Sequence, residues 1–70
     1  MLGERIGQGR TAEVFAIGDQ RVVKLFRSDW SAEDAAYEER MARAIAATDV
    51  PAPAIFGTTE IAGRFGVIYA

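Results

Sequence analysis

Seventy residues without a single cysteine, histidine or asparagine carry eight basic and ten acidic side chains, a formal net charge of −2. This inventory excludes a disulfide scaffold, thiolate or imidazole metal sites, a cysteine nucleophile and a Ser-His-Asp triad. With no basic run the chain lacks the footprint of a nucleic-acid binder, and with no apolar stretch near roughly 18 residues it lacks a membrane span.

The remaining balance, 50% hydrophobic and 26% charged, is that of one small folded domain, expected in the cytoplasm. In chain order, Leu2 to Ile6 reads as a first strand and Gly7 to Thr11 as its turn. Val14-Phe15-Ala16-Ile17 and Val22-Val23-Lys24-Leu25-Phe26 follow as β-branched and aromatic runs, joined by the three-residue loop Gly18-Asp19-Gln20. Residues 2 to 27 thus predict a three-stranded antiparallel meander.

From Ser31 to about Ala47 the chain turns Ala-rich and charged, with no Gly or Pro, and predicts a helix. Ser31 suits the N-cap, and Glu33 and Asp34 suit the positive end of the helix dipole. Tyr37, Met41, Ala44, Ile45 and Thr48 fall in one stripe about 100° wide, which the pattern assigns to the core. Glu38 flanks that stripe at about 100° from Tyr37 and can reach toward the sheet; Glu39, at about 200°, points to solvent, in i,i+4 register with Arg43. Val50-Pro51-Ala52-Pro53 ends the helix. Strands are expected at Ala54 to Thr59 and Phe65 to Ala70, with Glu60 to Arg64 as a glycine-containing turn. The order β-β-β-α-β-β is an α+β fold, a five-stranded antiparallel sheet with one helix on a face.

Three features carry chemistry. Gly7-x-Gly9-x-x-Ala12-x-Val14 has the spacing of a phosphate-covering loop, and the strand that follows it excludes the dinucleotide-binding arrangement, in which a helix would follow. A purely structural hairpin reads the same way. Lys24 is the chain's one lysine among seven arginines, placed mid-strand between apolar residues. It is either a snorkelling surface side chain or a point charge for phosphate oxygens. Glu38 is either a surface carboxylate or the partner of that lysine.

Taken together, Gly7-x-Gly9-x-x-Ala12-x-Val14, Val22-Val23-Lys24-Leu25 and the helical Glu38 resemble the N-terminal lobe of the protein-kinase-like fold. The phrases Glu38-Glu39-Arg40-Met41-Ala42-Arg43-Ala44-Ile45, Val50-Pro51-Ala52-Pro53 and Gly63-Arg64-Phe65-Gly66-Val67-Ile68-Tyr69 are similar to the aminoglycoside phosphotransferase and choline kinase branch. The resemblance implies that Lys24 holds the α- and β-phosphates of ATP and that Glu38 orients it. It implies that Val14 and Val22 line the adenine pocket, that the backbone from Gly7 through Gly9 to Ala12 covers the phosphates, and that Tyr69 and Ala70 begin the hinge. Ala12 stands where the kinase motif has its third glycine, which favours the small-molecule branch.

The resemblance further implies a catalytic Asp, Mg²⁺ ligands and the small-molecule acceptor site in a C-terminal lobe beyond Ala70. The 70 residues then read as an ATP-binding lobe truncated at the hinge, inactive alone, whose bared apolar surface favours self-association. Two other readings use the same residues: a non-catalytic interaction module of this shape, and a small sheet domain in which Lys24 and Glu38 are a structural pair.

Overall fold

A computed structural model describes residues 2–70. The first hairpin pairs β1 (Arg5–Gln8) with β2 (Ala12–Ile17), and β2 turns through Gly18-Asp19-Gln20 into β3 (Arg21–Phe26). Helix α1 (Ala32–Ala46) follows, then the hairpin of β4 (Ile55–Ile61) and β5 (Arg64–Tyr69). The five strands form one antiparallel sheet in the order β1-β2-β3-β5-β4, so the helix is the crossover that carries the chain past β5's place to the far edge.

The element order and the helix agree with the sequence reading; several strand boundaries differ. The first strand runs later than Leu2 to Ile6, through Gly7 and Gln8, after an irregularity between Arg5 and Gly7. Backbone pairing onto Gly7 shortens the turn to Gly9-Arg10-Thr11. The last hairpin closes on Ala62 and Gly63 alone, because Ile61 pairs directly with Arg64; both turn residues have positive φ, 53° and 78°, the signature of a tight hairpin whose twist matches its strands. β4 consequently extends to Ile61 rather than stopping at Thr59.

Helix α1 starts where its capping chemistry dictates. The Ser31 hydroxyl accepts from the Asp34 amide at 3.2 Å, and the Asp34 carboxylate accepts from the Ser31 amide at 2.7 Å, so both orphan donors are satisfied. Trp30, just before the cap, stacks on Phe26 with ring centroids 5.5 Å apart and joins the cluster of Ala12, Phe26, Ala35 and Val67. Burial of side chains such as Leu25, Val23 and Val67, each fully enclosed, stabilises the sheet by about 1.5–3 kcal/mol apiece.

The core face of the helix departs from expectation. Ala35 is its one buried residue, and Glu38 and Ala42 lie partly buried on the same side. Tyr37, Met41 and Ile45 are about half exposed, at 57%, 47% and 47%. The apolar stripe therefore lies rotated by about 110° from the face that meets the sheet. Small side chains explain the choice: Ala35 and Ala42 let the helix sit close on β4 and β5. That rotation also aims Glu38 at the sheet.

Candidate functional site

Strand alternation assigns the side chains to two faces. On the helix-covered face, cross-strand pairing lines up Gly7, Val14, Lys24, Val67 and Thr58 in one row that crosses all five strands. The Lys24 stem lies between Val14 and Val67, apolar neighbours that shield the methylenes and leave the ammonium at the rim. Its Nζ donates to Glu38 Oε1 at 3.0 Å, with the two side chains 35% and 25% exposed. A partly exposed pair of this kind contributes about 1 kcal/mol or less to stability. Geometry is the larger contribution, since it fixes where the ammonium sits.

The second Glu38 oxygen is also engaged. Tyr69, at the end of β5 and opposite Val22, donates its phenol O–H to Glu38 Oε2 at 2.7 Å. Burial, and then the hydrogen bond to Glu38, hold the Tyr69 hydroxyl well above the usual phenol range, so it keeps its proton and remains a donor at neutral and mildly alkaline pH. Glu39 makes no such contact and binds Arg43 one turn on, at 2.8 Å. The Glu39–Arg43 pairing is as expected, but Glu39 is no more exposed than Glu38, at 26% against 25%, so the two carboxylates differ in partner and not in exposure.

Each residue singled out in the sequence has a place. Val14, Val22, Lys24, Glu38 and Tyr69 meet on one face. Gly7 sits on β1 in the same row as Lys24, and Gly9 opens the turn beyond it. Ala12 is the first residue of β2, 6% exposed and packed opposite Phe26, so it belongs to the core as well as to the edge of the turn. Added Cβ atoms at Gly7 and Gly9 would meet nothing closer than 3.9 Å and 4.0 Å, and neither φ is positive. Neither glycine is required by its own backbone geometry, and both leave open space beside the backbone. The Gly9 amide is committed within the turn, to Ala12 O at 2.8 Å, while the Arg10 and Thr11 amides have no acceptor among the described residues. The Ala70 amide likewise donates to Ala54 O at 2.9 Å.

Two contacts escaped the sequence reading, which placed Tyr69 only at the hinge. Tyr69 acts through its side chain, a contact across 31 residues that no local pattern announces. Gly66 pairs with Leu25, and a Cβ there would overlap the Lys24 carbonyl oxygen. Its bare Cα lets β5 close against the backbone that carries Lys24. Hollows on the surface divide similarly. One of about 300 Å³ adjoins Glu38 and Tyr69 and is walled by Tyr37, Met41 and Ile45. A larger one, about 520 Å³, lies at the β2–β3 turn between Ile17, Arg21 and Ile68 and touches none of the candidate residues. The smaller hollow, not the larger one, adjoins the candidate residues.

A five-stranded antiparallel sheet with one helix, and a strand lysine paired to a helix glutamate, define the class as a kinase-like N-terminal lobe. The profile described as "Phosphotransferase enzyme family" matches residues 3–69, and the chain belongs to that family. Comparison with curated proteins and with solved structures finds no match. No helix among the described residues is long and apolar enough to cross a membrane.

Proposed function

We propose that residues 1–70 are the nucleotide-binding lobe of an ATP-dependent small-molecule phosphotransferase acting in the cytoplasm. The observation that carries this reading is the Lys24–Glu38 contact of 3.0 Å on the face where Gly7 and Gly9 leave the turn bare. ATP, when bound, supplies the γ-phosphoryl group. Lys24 spends one donor on Glu38 and offers its others to phosphate oxygens as a compact positive charge. Glu38, held at its second oxygen by Tyr69, stops that ammonium from swinging away. Val14 and Val22, half-buried on the same face, offer apolar surface to the base. Phosphoryl transfer depends mainly on such positioning and charge neutralisation.

The described residues contain no group of three Asp, Glu, His or Cys side chains placed to hold a metal. A catalytic carboxylate, the metal ligands and the acceptor site belong to a companion C-terminal lobe in this reading, and the 70 residues alone are inactive. Calorimetric titration tests it: the full-length protein binds ATP and ADP, and Lys24→Ala weakens both about tenfold or more. Unchanged nucleotide affinity in that variant would sink the proposal, and so would turnover of ATP by residues 1–70 alone.

A non-catalytic interaction module is the second reading. It is favoured by one observation, the exposed row Tyr37, Met41 and Ile45, which suits a packed partner or a second copy. Both readings expect the bare chain to associate, so nucleotide titration separates the cases: a module stays folded and binds no nucleotide.

A further inference from the structure

On the face of the sheet opposite Lys24 stands a second ionic assembly. Glu13, next to the glycine turn at the start of β2, is only 13% exposed at its side chain. Arg5 of β1 reaches its Oε2 at 2.8 Å, Arg64 of β5 its Oε1 at 2.9 Å, and Arg27, just past β3, approaches Oε1 at 3.9 Å. Three guanidinium groups on one carboxylate leave an excess of donors, and backbone carbonyls absorb it. Arg64 donates to Phe26 O at 2.9 Å and Leu25 O at 3.2 Å. Arg27 donates to Gly9 O at 2.9 Å, while its own amide donates to Thr11 O at 3.0 Å.

We infer that this hub positions the glycine turn for the phosphate end of a nucleotide, with Arg27 and Glu13 as positioning residues; the inference rests on the nucleotide-binding reading above. Glycine-rich backbone loses more conformational freedom than any other when it is fixed, so a bare turn needs restraint from outside its own sequence. Arg27 supplies it at Gly9, and Glu13 holds Arg27 in reach. All four charged side chains lie on the face away from Lys24, so the restraint leaves the ligand side of the turn free. The clamp acts on the part of the ligand that the turn covers: it bears on phosphates and not on the base.

The test is calorimetric titration of the full-length protein with ATP and with adenosine, joined to amide hydrogen exchange at Gly9. Arg27→Ala lowers ATP affinity about fivefold, leaves adenosine affinity unchanged and speeds exchange of the Gly9 amide. Arg27→Lys, which keeps the charge but not the planar fork of donors, recovers part of each effect. Glu13→Gln shifts ATP affinity in the same direction as Arg27→Ala. Wild-type protein that binds no nucleotide overturns the function on which the inference rests. Wild-type binding with an unchanged ATP-to-adenosine ratio in Arg27→Ala overturns the hub alone, as does an equal loss for both ligands.

Discussion

The two faces of the sheet hold two ionic assemblies built on different terms. On the helix face one carboxylate takes one ammonium and one phenol, and the lysine's other donors have no hydrogen-bond partner among the described residues. On the other face three guanidinium groups surround one carboxylate and turn their surplus inward, onto the carbonyls of Leu25, Phe26 and Gly9. Planar, many-donor arginine suits tying strands together; a compact ammonium with unspent donors suits an incoming anion. The difference sorts the charges of this small chain into those that bind it together and those left available to a ligand.

Breaking each face tests that division. Lys24→Ala carries the largest expected effect: under the proposed function it costs about a hundredfold or more in kcat/KM, with little change in melting temperature. A large fall in stability with activity intact would mean that Lys24 is structural. Next, Glu38→Ala costs about tenfold or more in kcat, whereas Glu39→Ala changes it less than about twofold, because the exposed Glu39–Arg43 pair contributes only a few tenths of a kcal/mol. Equal effects at the two positions would undo the assignment of Glu38 to the sheet.

Gly66→Ala should act through the backbone. Its Cβ overlaps the Lys24 carbonyl oxygen and comes within 3.0 Å of Leu25 Cα, so the β3–β5 ladder must part, with a loss of about 1–3 kcal/mol in denaturant unfolding. The smallest effect is the acid limb of stability. Hydrogen bonds from Arg5 and then Arg64 hold the Glu13 carboxyl below its ordinary value of 4.5. Its contribution is therefore complete above that value and is lost as pH falls through the depressed one. Thermal melts across this range should show a shallower acid decline in Glu13→Gln than in the wild type; parallel curves would remove Glu13 from the account.

Much of the Lys24 face was legible because its signals are local. A lone lysine in a β-branched run, glycines at close spacing and a helix of clear phase each sit in a few consecutive residues. Helical phase separated Glu38 from Glu39 by partner, yet the same arithmetic assigned Tyr37, Met41 and Ile45 to the core. Periodicity locates an apolar stripe but not the surface it meets, and here two alanines made the closer docking face. The other face was illegible for a different reason. Arg64 meets Glu13 across 51 residues, and Arg27 meets Gly9 across 18. Neither contact follows from pattern until the strand order is known, and neither do Tyr69 on Glu38 or Gly66 under Lys24.

The three-residue loop Gly18-Asp19-Gln20 sits at the opposite end of β2 and β3 from the glycine turn, yet it decides which face is which. It sets the pairing of Ile17 with Arg21, and that count propagates to Val14 against Lys24 and Glu13 against Leu25. A slip of one residue in β2 would exchange the faces, swinging a carboxylate beside the lysine and stranding the arginines without their anion. Gly18, at φ 64°, holds the count in a conformation that side chains resist. A loop that touches no ligand thereby acts as the keeper of polarity for the whole sheet, and a lengthened loop there would scramble the charges without altering one of them.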